Sequence, residues 1–304
     1  MINPIITIIT PSFNQGKYIE RTIKSVLSQN VSELEYLIFD GGSTDETVDV
    51  IKAFSNSVKW VSEKDFGQAD AVNKGLKDAR GEIIGWLNSD DIYYPNVLNT
   101  IIDFFNENKE IDVIYGMADH IDENDNVIEP YYTQQWDYEL LKNVCFICQP
   151  AVFFRRSIIN KYGLLNIKLR YCMDYEYWLR IGKDNPFYYL QKKLAGSRLY
   201  PETKTLGSRV AVHKEILQML KKTFRYVPSR WIYNYAHTIL DESGFKRDLP
   251  EQNLVFVKKL ISICTINFMK YKYCIPISDM KLMAGWYINA LQSLREKESY
   301  ENRI

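Results

Sequence analysis

The feature that most constrains the fold is a short apolar run, residues 83–87, that ends abruptly in Asn-Ser-Asp-Asp at residues 88–91. An apolar run of this length without polar alternation is typical of a parallel strand covered on both faces. Carboxylates at the carboxyl end of such a strand lie where open α/β sheets bind ligands. Because paired acids repel each other, Asp90 and Asp91 need a cation or a basic partner. The alternative is a turn followed by a helix cap, since Asn, Ser and Asp favour both.

The first ninety residues alternate between β-branched runs and segments with helical periodicity. We predict four strands here, over residues 5–10, 34–39, 58–62 and 83–87. Such strand–helix repeats predict an α/β fold, with a mostly parallel sheet, right-handed crossovers and flanking helices. Polar loops that contain Asp40 and Asp90 follow two of the strands, so we expect the ligand to bind at that edge of the sheet.

The loop after the first strand excludes two common nucleotide-binding motifs. Residues 11–16 read Pro-Ser-Phe-Asn-Gln-Gly, which is neither the G-x-G-x-x-G of dinucleotide-binding enzymes nor a Gly-Lys-Ser/Thr phosphate loop. Acids and a cation are therefore expected to hold the ligand. A site made only of oxygen ligands favours Mg²⁺ or Mn²⁺, with a substrate phosphate completing the shell.

Charge is unevenly distributed along the chain. Residues 1–205 carry 22 Lys/Arg against 29 Asp/Glu, a net of −7, and residues 206–304 carry 16 against 9, a net of +7. The acidic part suits a cation-dependent site, and the basic part suits an anionic surface or partner. Neither part has the concentrated basic stripe of a duplex-binding protein, so no nucleic-acid partner is expected.

The chain has five cysteines, an odd number, and its start lacks the pattern of an export signal. This predicts free thiols and a cytoplasmic location. Cys145 and Cys148 form a C-x-x-C without a second pair or a nearby His, which favours buried packing over a zinc site.

Three motifs, at residues 8–14, 39–45 and 88–91, resemble in their order and spacing the family 2 glycosyltransferases. Residues 69–75 and a later acid-bearing helix extend the similarity to about residues 4–205. The resemblance implies an inverting enzyme of the GT-A fold that uses nucleotide sugars. It is similar in particular to the bacterial members that build cell-surface polysaccharides.

The resemblance implies a nucleotide-sugar site in these loops. Pro11, Ser12 and Phe13 would line the base and ribose pocket, with the Phe13 ring offered to the nucleobase. Asp40 lies in the acidic turn that contacts the base and ribose; the family commonly has two acids there, and Gly41 replaces the second. The further residues implied to bind the nucleotide sugar are Asp65, Gln68, Asp70, Asn73 and Ser89.

The resemblance also implies a metal ligand and a general base. Residues 88–90 occupy the D-x-D position with Asn in place of the first acid, so Asp90 would bind Mn²⁺ or Mg²⁺ directly, and Asp91 directly or through water. Asp174 is retained at the position of the general base, where Met173 replaces the preceding Glu. It would take the proton of the acceptor hydroxyl. The alternative is that Asp174 caps or favours the start of its helix.

Residues 198–205 resemble the stretch that closes the family's catalytic domain. Tyr200 stands where relatives often have His, sometimes as a metal ligand. Arg198 and Lys204 are candidates for binding the diphosphate, with exposed surface charge as the alternative.

From about residue 206 the pattern becomes helical, so we predict a domain over residues 1–205 and a helical C-terminal extension over residues 206–304. A basic, aromatic-rich amphipathic segment in the extension either packs on its own domain or gives peripheral contact with the inner face of the plasma membrane.

The sequence therefore predicts a metal-dependent inverting glycosyltransferase that moves a sugar, with UDP as the expected nucleotide, onto a saccharide or lipid-linked saccharide in surface polysaccharide biosynthesis. Two alternatives stay open. A sugar nucleotidyltransferase would normally have a Gly-rich basic loop after the first strand, which residues 11–16 lack. A non-catalytic nucleotide-sugar-binding subunit of an assembly complex is favoured by the departures at Asn88, Met173 and Tyr200.

Overall fold

A computed structural model of the chain describes residues 4–301, without the side chains of residues 204, 205 and 301. The chain divides into two compact units, Met1–Leu206 and Gly207–Ile304. The first unit is built on a sheet and the second on helices.

Within the described residues, the first unit has a sheet of nine strands. They are β1 (Ile6–Ser12), β2 (Leu34–Asp40), β3 (Lys59–Ser62), β4 (Ile83–Trp86), β5 (Ile92–Tyr93), β6 (Val113–Ile121), β7 (Val127–Pro130), β8 (Val152–Arg155) and β9 (Tyr188–Arg198). The order is β3-β2-β1-β4-β8-β6-β9-β5, with β7 paired to β6 as a hairpin. The four strands β3, β2, β1 and β4 are parallel, as are β6 and β9, whereas β5, β7 and β8 pair antiparallel to their neighbours.

Helices cover both faces of the parallel part. Up to the boundary between the units they are α1 (Gly16–Leu27), α2 (Thr47–Ala53), α3 (Gln68–Asp78), α4 (Val97–Glu107), α5 (Tyr138–Leu141), α6 (Ser157–Tyr162), α7 (Met173–Gly182) and α8 (Lys204–Gly207). Ile8 of β1 belongs to the same buried cluster as Ile23 of α1. The next residue, Ile9, faces α3, where a Cβ at Gly75 would lie 2.4 Å from its Cγ2. Because successive residues of a strand point to opposite faces, β1 is buried on both sides.

The fold class predicted from the sequence is confirmed, including the helical C-terminal extension. The first four predicted strands correspond to β1–β4. The long strand β9 was not predicted, because Gln191, Lys192 and Lys193 interrupt its apolar pattern. Its pairing with β6 supplies the hydrogen bonds that hold it in the sheet.

The second unit contains α9 (Arg209–Met219), a π-helical turn (Leu220–Phe224), α10 (Ser229–Glu242), α11 (Pro250–Lys272) and α12 (Ile277–Glu301). Leu254 and Val257 of α11 pack against Ala290 of α12. In the part of the chain that the structure describes, none of the helices combines the length and the hydropathy needed to span a bilayer.

Candidate active site

The loops that follow β1, β2 and β4 lie at one edge of the sheet, because these strands are parallel. Ser12 at the end of β1 is paired in register with Asp40 at the end of β2. The backbone N–H of Asn14 donates to Oγ of Ser43 (2.7 Å), and the N–H of Thr44 donates to Oδ1 of Asn14 (2.9 Å). These bonds hold the first two loops together as one rim.

Asp40 stabilises the turn that follows β2. One carboxylate oxygen accepts hydrogen bonds from the N–H groups of Gly42 and Ser43, at 3.1 and 2.9 Å, and from the Ser62 hydroxyl at 2.6 Å. The other oxygen accepts from the Ser43 hydroxyl. The Asp40 side chain is buried, so in this structure its carboxylate orders the loop, and its contact with a nucleotide stays a prediction.

Beside this turn, an exposed ring and an acid flank the first two loops. The Phe13 side chain is 59% exposed and follows the buried residues Pro11 and Ser12. Within the described residues, the buried Ser12 hydroxyl has no hydrogen-bond partner. A Cβ at Gly41 would lie 2.9 Å from Oδ2 of Asp65. The Asp65 carboxylate therefore occupies the space beside the position where the turn lacks its second acid.

The Asn88 amide is the centre of a hydrogen-bond network below the edge of the sheet. Its oxygen accepts from Nε2 of Gln68 (2.7 Å) and Nε1 of Trp86 (3.0 Å). Its nitrogen donates to Oδ2 of Asp91 (3.0 Å) and Oε1 of Gln149 (2.9 Å). An amide offers two donors and an acceptor with two lone pairs, so all its hydrogen-bonding positions are used. An aspartate could not make the two donations.

Gln149, which was not predicted as a site residue, links this network to the end of β4. Its Nε2 donates to the Trp86 carbonyl at 2.6 Å. A single glutamine after a buried segment carries no sequence signal that distinguishes it from a surface residue.

The two acids of the turn after β4 have opposite environments. Asp91 is buried, and its Oδ1 accepts the backbone N–H of Arg198 at 2.9 Å. Burial and the charge of Asp90 raise the pKa of the Asp91 carboxyl well above its usual range. Asp90 is partly exposed, and its Oδ2 accepts from the Tyr200 hydroxyl at 2.8 Å. Asp90 is therefore the acid of this pair that a bound ligand can reach.

Arg198 holds the main chain of this turn from inside the protein. Its Nε donates to the Asp90 carbonyl (2.7 Å) and Nη1 to the Asp122 carbonyl (2.6 Å), and Nη2 forms an ion pair with Asp125. Its side chain has 0% exposure, and its guanidinium lies 5.0 Å from the centre of the Tyr18 ring. This geometry favours a positioning role over contact with a diphosphate.

The acidic turn between β6 and β7 docks on α1. Oε1 of Glu123 lies 2.7 Å from Nζ of Lys17, and Oδ1 of Asp125 lies 3.1 Å from Nη1 of Arg21. Glu123 and Asp125 of this hairpin therefore pair with cations of α1. The sequence showed the charges and not the partners, which come from a helix about a hundred residues earlier.

Asp174 lies in the first turn of α7, after the N-cap residue Cys172, and is partly exposed. Burial raises the pKa of both Tyr131 and Cys148, and the charges of Asp91 and Asp174 raise it further in each case. The charges of Asp174 and Asp91, which belong to different elements, therefore both act on these two side chains.

Two other predicted residues are tied to the protein itself. The Asn73 amide is buried and bonds to the backbone of Leu165 in both directions, each bond being 2.9 Å long. Oδ2 of Asp70 accepts the N–H of Phe66 at 3.3 Å, which supports the start of α3.

Ser89 is buried, and its carbonyl accepts the Thr22 hydroxyl at 2.9 Å. The Lys204 side chain, predicted to bind the diphosphate, lies outside the described residues.

A divalent cation fits this site only if a ligand contributes to its coordination. Within residues 4–301, apart from the side chains left undescribed, no three His, Cys, Asp or Glu residues converge in a group able to hold a metal ion. Asp90 nevertheless presents a partly exposed carboxylate at the edge of the sheet. Mg²⁺ is commonly held by one or two carboxylates together with substrate phosphates. The residues therefore suit a cation that is coordinated partly by substrate phosphates, and not one coordinated by protein side chains alone.

Comparisons with known proteins agree with this architecture. Residues 7–163 match the family model described as Glycosyl transferase family 2. An uncharacterized glycosyltransferase of Rickettsia prowazekii is 24% identical over 96% of this chain and 90% of its own length. Chondroitin synthase of Escherichia coli is 28% identical over 70% of this chain and 31% of its own length.

Solved structures share the fold over most of the chain. TarS 1–349 of S. aureus in complex with UDP-GlcNAc has a TM-score of 0.58 and 15% identity, covering 96% of this chain and 92% of that one. The mannosyltransferase PcManGT from Pyrobaculum calidifontis, in complex with GDP-Man and Mn²⁺, has a TM-score of 0.55 and 15% identity, covering 96% and 81%. These likenesses confirm the predicted GT-A type of sheet.

Proposed function

The chain belongs to glycosyl transferase family 2, whose model matches more than half of its length, and we propose that it is a metal-dependent, inverting enzyme that transfers a sugar from UDP to a saccharide acceptor. The observation that carries the proposal is the partly exposed Asp90 carboxylate, which the Tyr200 hydroxyl holds at the edge of the sheet where the loops after β1, β2 and β4 lie. Asp174, in the first turn of α7, is also a partly exposed carboxylate.

The nucleotide is proposed to bind along the rim formed by the loops after β1 and β2. The exposed Phe13 ring offers a stacking surface to the base. Asp65, whose carboxylate lies beside Gly41, takes the place of the second acid that the turn lacks. The choice of UDP is supported by the complex of TarS with UDP-GlcNAc.

When bound, Mn²⁺ or Mg²⁺ would act as a Lewis acid that neutralises the charge developing on the departing diphosphate. Asp90 would hold the ion together with the phosphates, as the Mn²⁺ complex of the mannosyltransferase suggests. Tyr200 orients the Asp90 carboxylate, while Arg198 and Asp91 fix the main chain beneath it. We assign these three residues positioning roles.

Asp174 is proposed as the general base. It accepts the proton of the acceptor hydroxyl as that oxygen forms a bond to the anomeric carbon. The bond between the anomeric carbon and the phosphate oxygen breaks, and UDP leaves with the bonding electrons. Attack from the side opposite to the leaving group inverts the anomeric configuration.

The acceptor is proposed to be a saccharide or a lipid-linked saccharide of a surface polysaccharide, and chondroitin synthase as a relative supports a polymeric product. All five cysteines are free thiols. Free thiols are common in reducing compartments, and this supports a cytoplasmic site of action.

The test is a UDP-release and sugar-transfer assay with labelled UDP-sugars, a panel of saccharide acceptors and Mn²⁺. We expect Asp174→Asn and Asp90→Asn each to reduce the rate by at least about a hundredfold, because each removes a group used in the transition state. Asp103→Asn, which changes an exposed carboxylate on α4, is the matched control and should keep full activity.

Three outcomes would overturn the proposal. Full activity in both active-site variants would exclude the assigned roles. Binding of the UDP-sugar without turnover, in the presence of acceptors and Mn²⁺, would instead indicate a non-catalytic binding subunit. Formation of pyrophosphate from UTP and a sugar phosphate would indicate a nucleotidyltransferase.

A further inference from the structure

One end of the helical unit combines many cations with almost no acids. Residues 220–230 contain four Lys or Arg residues and residues 270–281 contain three, while the two segments together contain one acid. The cations are Lys221, Lys222, Arg225, Arg230, Lys270, Lys272 and Lys281. The acid, Asp279, is buried and accepts hydrogen bonds from Ser229 and Tyr233, at 2.9 and 2.5 Å. We call the surface formed by residues 220–230 and 270–281 the basic end.

The two segments form one continuous surface. Nζ of Lys221 donates to the Tyr271 carbonyl at 2.8 Å and lies 3.6 Å from the centre of the Tyr273 ring. Nζ of Lys272 donates to Oγ of Ser229 at 3.2 Å. The π-helical turn, the start of α10 and the turn between α11 and α12 are therefore held side by side.

Apolar side chains project from this same surface. Tyr273 is 74% exposed, Ile277 is 67% exposed, and Tyr226 and Met280 are about half exposed. Other exposed apolar side chains occur along the helices, such as Val255 and Ile288. What distinguishes the basic end is that its exposed apolar side chains lie among cations with almost no acids.

The opposite end of the same helices has the reverse charge. Residues 241–252 and 293–301 together contain seven acids and four bases. The basic character is therefore a property of one end and not of the unit as a whole, so the unit can be oriented in the field of a charged surface.

We propose that the basic end docks on the surface of an anionic phospholipid membrane. Tyr273, Ile277 and Met280 enter the headgroup region, and the surrounding Lys and Arg side chains contact lipid phosphates. Tyrosine rings favour the interface between membrane and water, and lysine stems extend along apolar surface to keep their charges near the phosphates. A purely electrostatic partner such as a nucleic acid or a polyanionic glycan leaves the exposed Ile277 and Met280 without a role.

The experiment is cosedimentation of the full chain with vesicles of phosphatidylcholine alone and of phosphatidylcholine with phosphatidylglycerol. We expect binding only to the anionic vesicles, and weaker binding at high salt, since anionic lipids attract basic residues within a Debye length. The triple variant Lys222→Glu, Lys270→Glu and Lys281→Glu changes three exposed side chains. It should lower vesicle binding by at least about tenfold.

The matched control carries the same change of net charge away from the basic end, as Lys214→Glu, Lys246→Glu and Lys258→Glu, all exposed positions. Its affinity for anionic vesicles should stay within about twofold of that of the wild type, because the net charge of the chain has only a small effect on binding by the basic end. Ile277→Ser tests the apolar contact separately and should weaken binding without changing its salt dependence. Circular dichroism checks that each variant is folded.

Equal losses in the two triple variants would overturn the proposal, because binding would then follow net charge alone. Unchanged vesicle binding in Ile277→Ser would also contradict the proposal. So would binding to heparin as strong as binding to anionic vesicles, because the protein would then show no preference for lipid. The inference does not depend on sugar transfer, so a negative vesicle result leaves the UDP-release assay unaffected.

Discussion

The hydroxyl of Tyr200 donates a 2.8 Å hydrogen bond to Oδ2 of Asp90, a residue 110 positions earlier in the chain. Nε2 of Gln15 donates to the same hydroxyl oxygen at 3.3 Å, so the phenol both accepts and donates. Burial and the charge of Asp90 raise the pKa of Tyr200 far above its ordinary value. The hydroxyl therefore stays protonated at neutral pH and remains a donor to the carboxylate.

Replacing Tyr200 by Phe removes this donor while keeping the ring against Tyr18. A hydrogen bond to a charged group contributes about 1.5–3 kcal/mol. We therefore expect the transfer rate at limiting Mn²⁺ to fall about tenfold to a hundredfold and to recover in part at saturating Mn²⁺. The measurement is the rate as a function of Mn²⁺ concentration, with EDTA to establish the rate without metal.

Tyr188→Phe changes an exposed tyrosine on β9 and is the control for this substitution. It should have the Mn²⁺ dependence of the wild type. If Tyr200→Phe also had that dependence, Tyr200 would not orient the metal-binding carboxylate.

Arg198→Met tests whether the buried arginine positions the turn or contacts the diphosphate. The variant leaves Asp125 without one of its cations and the Asp90 carbonyl without its donor. A hydrogen bond to a charged group contributes about 1.5–3 kcal/mol, so the loss of those made by the guanidinium should clearly lower the free energy of unfolding, measured in urea. Arg156→Met, at an exposed position, should change it little. Normal stability combined with weak UDP binding would argue for direct contact with the diphosphate.

Asn88→Asp restores the acid that the D-x-D position lacks, yet we expect it to harm the protein. A carboxylate at this position cannot donate to Asp91 or Gln149, and it adds a negative charge 3.0 Å from the Asp91 oxygen. The expected loss is about 1–3 kcal/mol of stability, together with lower activity. Thermal unfolding measures it, with Asn106→Asp on the exposed face of α4 as the control. Tighter Mn²⁺ binding at unchanged stability would contradict this view of Asn88.

The sequence was sufficient to predict that the loops after β1, β2 and β4 lie at one edge of the sheet. Parallel strands follow from the β-branched runs and their spacing, and the acids after β2 and β4 then lie at one edge. The contacts that determine what each acid does could not be predicted in the same way. Arg198 and Asp125 are 73 residues apart, and nothing in either segment distinguishes an ion pair with a buried arginine from two surface charges.

The same limit explains why Asp90 and Asp91 looked equivalent. Adjacent residues outside regular structure point in different directions, and the Asp91 carboxylate is held inside by the Asn88 amide and the backbone of Arg198. Polar partners such as Gln149 have no periodicity that could reveal them.

Moving the acid between positions 41 and 65 tests how the base and ribose are held. Asp65→Gly should weaken UDP binding about tenfold through the loss of one charged hydrogen bond. Gly41→Asp should also weaken it, because the new Cβ would lie 2.9 Å from Oδ2 of Asp65. The double variant removes the clash and returns an acid to the turn, so we expect most of the affinity to return in calorimetric titrations with UDP. If the double variant bound UDP no better than the two single variants, an acid at position 41 could not replace Asp65.

Glu35, at the opposite edge of the sheet, makes stability depend on pH. Its side chain is 3% exposed and accepts from Thr7, Arg80 and Lys59. Burial alone would raise the pKa of Glu35, but these hydrogen bonds outweigh it, so the pKa lies below its ordinary value. A group whose pKa is lower in the folded than in the unfolded state stabilises the fold above the unfolded pKa, and this contribution is lost as pH falls through the folded pKa.

We therefore expect Glu35→Gln to be less stable than the wild type by about 1–3 kcal/mol at pH 7, because the charged acceptor is lost. The difference should shrink as the pH is lowered from about 5 to about 3, since the unfolded wild-type chain then binds a proton that the folded carboxylate resists. Urea unfolding at several pH values measures both curves. Glu33→Gln, two residues earlier and exposed, should follow the wild type throughout. A constant difference in the free energy of unfolding between Glu35→Gln and the wild type over this range would mean that the charge of Glu35 does not contribute to stability. Only the shape of its side chain would then matter.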